Sequence, residues 1–319
     1  MRGLYLEQGL SFRRDLAQPW LQPGEALIRP LLTGICATDL ELCRGYAGFK
    51  GVPGHEFVGV VEQVRDPEHR DWVGQRVVGA INIGCRQCQA CRTACPEHCR
   101  QRRVLGIRGK DGVFADYFSL PVVNLYALPE SVPDLEAVFA EPLAAALRVL
   151  QQLDGLDVER VLVLGPGRLG LLIAWVLAEA GYSLTVAGRN EASLALPKSW
   201  QLDTVLVSDP DDCSQTCVVD ASGSPEGLRQ ALRLLQPRGI LLLKSTFAGG
   251  EAVDLSPLVV NEIRLLGSRC GPMDLAVQCL ARRTLPVQSM IDGCYSLQQG
   301  RQAFARAAEP GVRKIVLTP

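Results

Sequence analysis

This chain lacks charge of either sign in excess: 33 Lys and Arg stand against 34 Asp and Glu, for a formal net charge of −1. Such a balance offers no field to attract nucleic acid or an anionic membrane. No cluster of Lys and Arg of the kind that follows a phosphate backbone stands out. No apolar run approaches the roughly 18 residues a bilayer-spanning helix needs. The opening Met1-Arg2-Gly3-Leu4-Tyr5-Leu6-Glu7 meets an acid too early for the apolar core of a signal peptide. Internal repeats and low-complexity segments are absent as well. These absences leave, as the expectation, a cytoplasmic globular protein with neither a nucleic-acid nor a membrane partner. The 319 residues, 47% hydrophobic and 21% charged, suit an ordinary chain of two domains.

Cysteine, by contrast, is plentiful, with twelve residues. A reducing cytosol disfavours disulfides, so clustered spacing points to metal first. Cys85, Cys88, Cys91 and Cys99 form C-x2-C-x2-C-x7-C. Four thiolates close a tetrahedral zinc shell, and a closed shell is a structural site. The short spacings let backbone N–H groups bend toward the sulfurs. Iron–sulfur ligation is the rival reading, because Cys91-x3-Cys95-Pro96 fits part of a ferredoxin run. That alternative needs a cluster domain which the rest of the chain does not provide. Cys95 and His98 remain candidates to replace one of the four. Cys43, Cys213, Cys217, Cys270, Cys279 and Cys294 read as small hydrophobes.

Up to about Tyr126 the chain reads as short strands broken by Gly and Pro, with Leu27–Arg29, Gly59–Val64, Arg76–Val78 and Ala115–Leu120 as candidates. This texture predicts a small β-rich domain of barrel type. Ser131–Leu153 then predicts a helix, and Arg160-Val161-Leu162-Val163-Leu164 is an unalternated apolar run, as in a strand buried on both faces of a parallel sheet. A helix over Leu169–Ala180 and a strand over Leu184–Ala187 complete a β-α-β unit. Strands at Cys217–Asp220, Ile240–Lys244 and Ile263–Leu266, with a helix at Pro225–Leu235, extend the pattern to a doubly wound α/β layer. Between Asn190 and Cys217 there is room for little beyond one helix and one strand, with Thr204–Val207 as that strand. A tail strand over Lys314–Leu317 is placed to return to the first domain.

The turn Gly165-Pro166-Gly167-Arg168-Leu169-Gly170 fits G-x-G-x-x-G between that buried strand and a helix, the context in which the motif binds a dinucleotide. The first Gly permits the tight turn, the second lets backbone approach the pyrophosphate, and the third brings helix and strand together. The helix N-terminus adds free N–H groups and partial positive charge. Pro166 removes one N–H donor at this point. About 20 residues on, where an acid would take the ribose hydroxyls of NAD, the chain reads Val186-Ala187-Gly188-Arg189-Asn190. Gly188 leaves space and Arg189 can pair with a 2′-phosphate, which favours NADP over NAD. The alternative is a solvated Arg189 and an NAD that binds without an acid.

Three further pieces are Cys36-Ala37-Thr38-Asp39, Gly54-His55-Glu56 and Glu141-Pro142-Leu143-Ala144. Singly, each has a plain reading: a core Cys, a turn His, an acid at a helix N-terminus. Their order ahead of the glycine turn gives them another. With Gly34–Leu40, Gly54–Val61, the cysteine lobe and the glycine turn, the chain resembles the zinc-containing medium-chain dehydrogenase/reductase family over nearly its whole length. The branch it resembles is that of polyol, threonine and glucose dehydrogenases, in which Glu stands at the position of Glu141. Liver-type alcohol dehydrogenases have Cys there.

The resemblance implies a Rossmann domain over 142–269 and a GroES-like catalytic domain over 1–141 and 270–319, its structural-zinc lobe near 84–100, with the active site between the two. It implies that Cys36 and His55 bind a catalytic zinc, with Glu141 as the third protein ligand and Glu56 close enough to bind or exchange with water. Asp39 would accept the second ring N–H of His55, and Thr38 would begin the proton relay. Zinc would polarise the oxygen of an alcohol, polyol or matching carbonyl while hydride passes to or from the nicotinamide. Lys314 matches a basic position that touches cofactor phosphates, or is a solvated lysine. Two zinc ions per chain and a homodimer or homotetramer are expected. The family's relay His is replaced here by Glu41. That substitution and the short third αβ segment support the alternative, a catalytically silent relative that binds or scaffolds. Trp20, Phe49, Phe114 and Phe247 are candidates for an apolar substrate wall, with core packing as the other reading.

Overall fold

A computed structural model describes residues 1–158, 160–207, 213–246 and 252–319. The fold divides into two units, Met1–Glu141 with Met273–Pro319, and Pro142–Pro272.

The first unit is built on the strand Glu25–Ile35, eleven residues long and buried along most of its length. It pairs antiparallel with Glu56–Val64, with Phe118–Pro121 and with the tail strand Lys314–Thr318. Arg76–Gly79, Leu125–Ala127 and Ile291–Ser296 complete a seven-stranded sheet. Pro30, which has no N–H for the ladder, sits opposite Gly59, and the register shifts between Pro30 and Leu32. The strand accommodates its proline at a bulge, the place where a sheet tolerates one. The sheet closes on an aromatic core. The rings of Phe57 and Phe118 meet edge-on at 4.7 Å, and those of Phe114 and Phe304 at 5.8 Å. Phe304 belongs to the helix Gly300–Ala307, so the C-terminal segment packs into the core that the N-terminal strands begin. Of the four proposed wall aromatics, Phe114 is fully buried here and Phe49 half-buried, while Trp20 is 78% exposed beside the Arg65 guanidinium. Phe247 lies outside the described residues.

The cysteine lobe hangs on a small sheet of Asn82–Ile83, Arg103–Leu105 and Gly109–Lys110. Lys110 Nζ anchors it to the main sheet, donating to Glu25 Oε1 and Ser119 Oγ at 2.7 Å each.

The second unit holds a parallel six-stranded sheet in the order Asp203–Leu206, Ser183–Gly188, Arg160–Leu164, Gln215–Asp220, Leu235–Leu243, Arg264–Gly267. Counted within the unit this is 3-2-1-4-5-6, the Rossmann order. The apolar run Val161–Leu164 forms its centre and is buried on both faces, as continuous hydrophobicity requires. The helix Arg168–Glu179 is apolar all round and buried from Gly170 to Leu177. The third αβ segment is short: the helix Glu191–Ser199 leads to the edge strand Asp203–Leu206, where Val205 and Leu206 are exposed.

The helix expected over Ser131–Leu153 is two helices, Asp134–Ala137 and Ala140–Leu153. Pro142 gives the reason. It has no N–H to bond the carbonyl four residues back, so it is accommodated in the first turn of a new helix, not inside an old one.

Phe114 joins the strand core to the tail helix, and removing its ring leaves a cavity on both. Phe114→Ala is expected to cost about 3–5 kcal/mol in a denaturant titration. A loss under about 1 kcal/mol would contradict this packing.

Candidate functional site

The end of the Glu25–Ile35 strand and the start of the Glu56–Val64 strand lie side by side, Gly34 opposite Glu56. One residue beyond the first strand, Cys36 sits at the N-cap of the helix Ala37–Cys43. The residue just before the second strand is His55. Antiparallel pairing therefore brings together Cys36, His55 and Glu56, whose ligand atoms all lie within 4.8 Å of one another. Glu141, the second residue of the helix Ala140–Leu153 and half-buried, is not one of this trio. Sequence put Glu141 first and Glu56 second as the carboxylate donor; strand register places Glu56 with the thiol and the imidazole.

Asp39 supports the trio from the helix. It is fully buried, and its Oδ2 accepts the Cys36 backbone N–H at 2.8 Å while its Oδ1 faces His55 Nδ1 at 3.3 Å. Neither Asp39 Oδ1 nor His55 Nδ1 has another partner among the described residues. Burial opposes the charged imidazole, but the Asp39 carboxylate and the nearby Cys36 outweigh it and hold the His55 pKa well above its usual value. Metal binding to a histidine generally competes with its proton. A thiol, an imidazole and a carboxylate, with an acid to orient the ring, match a zinc donor set. Thr38 Oγ1 lies 3.9 Å from Cys36 Sγ, at the edge of the same site. Glu41 instead pairs with Arg44 one helical turn on, at 2.5 Å.

The second cluster joins Cys85, Cys88, Cys91 and Cys99, again with all four sulfurs within 4.8 Å of one another. Backbone N–H groups do reach them: Cys88 N–H donates to Cys85 Sγ and Cys85 N–H to Cys99 Sγ, each at 3.4 Å. The N–H groups of Gln87 and Cys88 bring the Cys85 thiol down to about 6, whereas burial pushes Cys91 up to about 12. Cys95 bonds the Thr93 carbonyl instead, and His98 is exposed; both stand outside the four. No disulfide forms among the described cysteines.

In the glycine turn, Gly165 has φ +99°, and a Cβ there would come within 2.7 Å of Ser222 Cα. A Cβ on Gly170 would overlap the Gly165 carbonyl, so strand and helix meet backbone to backbone. Gly167 is the N-cap and has open space around it. Arg168 and Leu169, half-buried, start the helix behind it. Gly188 ends the second Rossmann strand. A Cβ there would strike Ser193 Oγ at 2.6 Å and Leu194 Cδ2 at 2.7 Å, so the glycine admits the protein's own next helix. Arg189 follows it and is exposed, and Asn190 caps that helix by accepting the Ser193 N–H at 2.9 Å.

Lys314 differs most from the sequence reading. It is not the solvated lysine of one reading. Its ammonium is buried, ion-paired with Glu56 Oε2 and 5.2 Å from the centre of the Phe139 ring. Nothing in the local sequence signals this pair, because the partners are 258 positions apart and meet only through the tail strand.

A family model for the alcohol dehydrogenase GroES-like domain matches residues 22–130. The L-threonine 3-dehydrogenase of Pyrococcus horikoshii is 31% identical over 257 residues, 75% of this chain and 73% of the relative. The chain belongs to the zinc-containing medium-chain dehydrogenase/reductase family. It falls in the polyol and threonine dehydrogenase-like branch, and it is an oxidoreductase of the NAD(P)-dependent zinc alcohol dehydrogenase type. The D-arabitol-phosphate dehydrogenase of Enterococcus avium is 26% identical over 325 residues, 95% of this chain and 92% of the relative. Two solved structures share the Rossmann and GroES-like fold. An alcohol dehydrogenase of Escherichia coli CFT073 complexed with NADH has a TM-score of 0.89 at 26% identity, covering 100% of this dehydrogenase and 99% of that chain. A Sinorhizobium meliloti 1021 protein described as a zinc-binding dehydrogenase and bound to NADP has a TM-score of 0.86 at 26% identity, with the same coverage.

The contact between Gly170 and the Gly165 carbonyl yields a test of the turn. Gly170→Ala in this dehydrogenase is expected to lower stability by about 1–3 kcal/mol and to weaken dinucleotide binding at least several-fold, by denaturation and by fluorescence titration of the reduced nicotinamide. Unchanged binding would show that the turn does not hold the pyrophosphate.

Proposed function

We propose that this dehydrogenase oxidises a small alcohol or polyol, or reduces the matching carbonyl, using zinc held by Cys36, His55 and Glu56. The observation that carries the reading is the convergence of those three donors, in a chain that also folds a dinucleotide turn. When bound, zinc supplies a Lewis acid for the substrate oxygen. The chain's own groups do the rest. Asp39 fixes the His55 ring and the Cys36 backbone. Thr38, beside Cys36 Sγ, carries the hydroxyl proton away from the substrate. The pairing of Glu41 with Arg44 favours a relay that bypasses Glu41. Cys85, Cys88, Cys91 and Cys99 hold a second, structural zinc, consistent with their closed set of four sulfurs.

The cofactor turn uses Gly165, Gly167, Arg168, Leu169 and Gly170 for the pyrophosphate. Arg189, exposed at the end of the second strand where an acid is missing, reads a 2′-phosphate, so NADP is preferred over NAD. Polyols are the favoured substrate class because relatives are named for arabitol phosphate, altritol, erythritol and threitol. Twelve cysteines without a disulfide among the described residues suit a reducing cytoplasm. Val259 and Val260, 80% and 78% exposed just before the edge strand Arg264–Gly267, support a homodimer or homotetramer.

Metal analysis of the purified protein is expected to give about two zinc ions per chain. A catalytically silent relative that keeps only the lobe would hold one. Glu56→Gln is expected to lose zinc from the Cys36 site while Glu141→Gln keeps it; the reverse would make Glu141 the ligand. Arg189→Ala is expected to raise Kd for NADPH by at least about tenfold with little change for NADH, and equal effects on the two would remove Arg189 from the 2′-phosphate site.

A further inference from the structure

Lys314 and Glu56 form a charged pair with side chains only 3% and 1% exposed. The pair occupies a built space. Gly34 stands opposite Glu56 on one side and opposite Val316 of the tail strand on the other. A Cβ on Gly34 would overlap Glu56 Oε2 and lie 3.4 Å from Lys314 Cδ. The absent side chain at 34 is therefore what lets the two charges meet across three adjacent strands. Phe139 covers the ammonium from its other side.

With a metal at the trio, this would place one carboxylate between two cations. Lys314 holds Oε2 of Glu56, while the same carboxylate lies in the donor trio with Cys36 and His55. A carboxylate already bonded to an ammonium donates less charge to a metal, and a buried positive charge nearby opposes the metal's own charge. Both effects have one sign: they make Glu56 a weak ligand that leaves easily.

We propose that Lys314 is a positioning residue that keeps Glu56 exchangeable at the metal, so that one coordination position opens for substrate. The proposal rests on Cys36, His55 and Glu56 being the metal site. It assigns Lys314 to Glu56 and not to a cofactor phosphate. Neutralising Lys314 gives Glu56 wholly to the metal, which is then held more tightly and with a more crowded shell.

The test replaces zinc at the Cys36 site by Co2+ and follows its visible spectrum and its release to a chelator. A thiolate-to-cobalt band in the otherwise unchanged protein that disappears in Cys36→Ser establishes the site. Its absence would overturn the metal reading itself, independently of Lys314. Given that band, Lys314→Met is expected to slow cobalt release on the order of tenfold and to weaken the d–d absorption, as a rise in coordination number does. Lys314→Gln, which keeps a donor without the charge, is expected to do the same and serves if the Met variant does not fold. Lys314→Arg is expected to release cobalt within about twofold of the parent. Release from Lys314→Met and Lys314→Gln as fast as from the parent would overturn the proposal. So would unchanged release joined to a tenfold or greater loss of NADPH affinity, which would return Lys314 to the cofactor phosphates.

Discussion

The pairing of Glu25–Ile35 with Glu56–Val64 is the constraint on which the candidate centre depends. Its register sets Gly34 against Glu56, and the two chain segments that leave this point carry Cys36 and His55. A slip of one residue would turn Glu56 to the other face of the sheet and separate the donors. The register is held by buried side chains along both strands and by the irregularity at Pro30. The tail strand Lys314–Thr318 then lies on the outer side of the same long strand and brings a cation to the carboxylate. Three strands distant in sequence thus define the electrostatics of one small volume.

The two candidate metal sites illustrate how differently a chain can gather a donor set. The lobe's four sulfurs come from fifteen consecutive residues, and backbone N–H groups of the same segment bend toward them. That arrangement is local, and its spacing announces it. The Cys36 site draws its donors from two strand ends, its ring-orienting acid from a helix, and its countercharge from the C-terminus. The first suits a site that stabilises a loop; the second suits one whose ligands can be adjusted singly.

What was legible in sequence follows the same division. The run Arg160–Leu164 marks the central strand with its observed limits, because burial on both faces demands continuous apolar residues. The glycine turn, the sulfur quartet and the Cys36–His55 pairing are visible as motifs. The strand expected over Leu27–Arg29 is longer, since Glu25–Ile35 runs through a proline by means of bulges, while the one expected over Ala115–Leu120 begins only at Phe118. The helix expected from Ser131 onward breaks before Pro142, a proline signal that apolar periodicity masked. At Gly188 the missing side chain also makes room for the next helix, which no local pattern announces. The nearness of Glu56 to Cys36 and His55, and the burial of Lys314, depend on which residues face each other across a sheet. That is a property of register over long separations, and no local pattern encodes it.

The central claim is that a metal sits among Cys36, His55 and Glu56. Anomalous diffraction at the zinc edge from crystals of the zinc-loaded protein tests it most directly. The account predicts two peaks per chain, one within bonding distance of Cys36 Sγ, a His55 ring nitrogen and a Glu56 oxygen, the other inside the four sulfurs of the lobe. A single peak confined to the lobe, or a second ion held by Glu141 with Glu56 turned away, would contradict it.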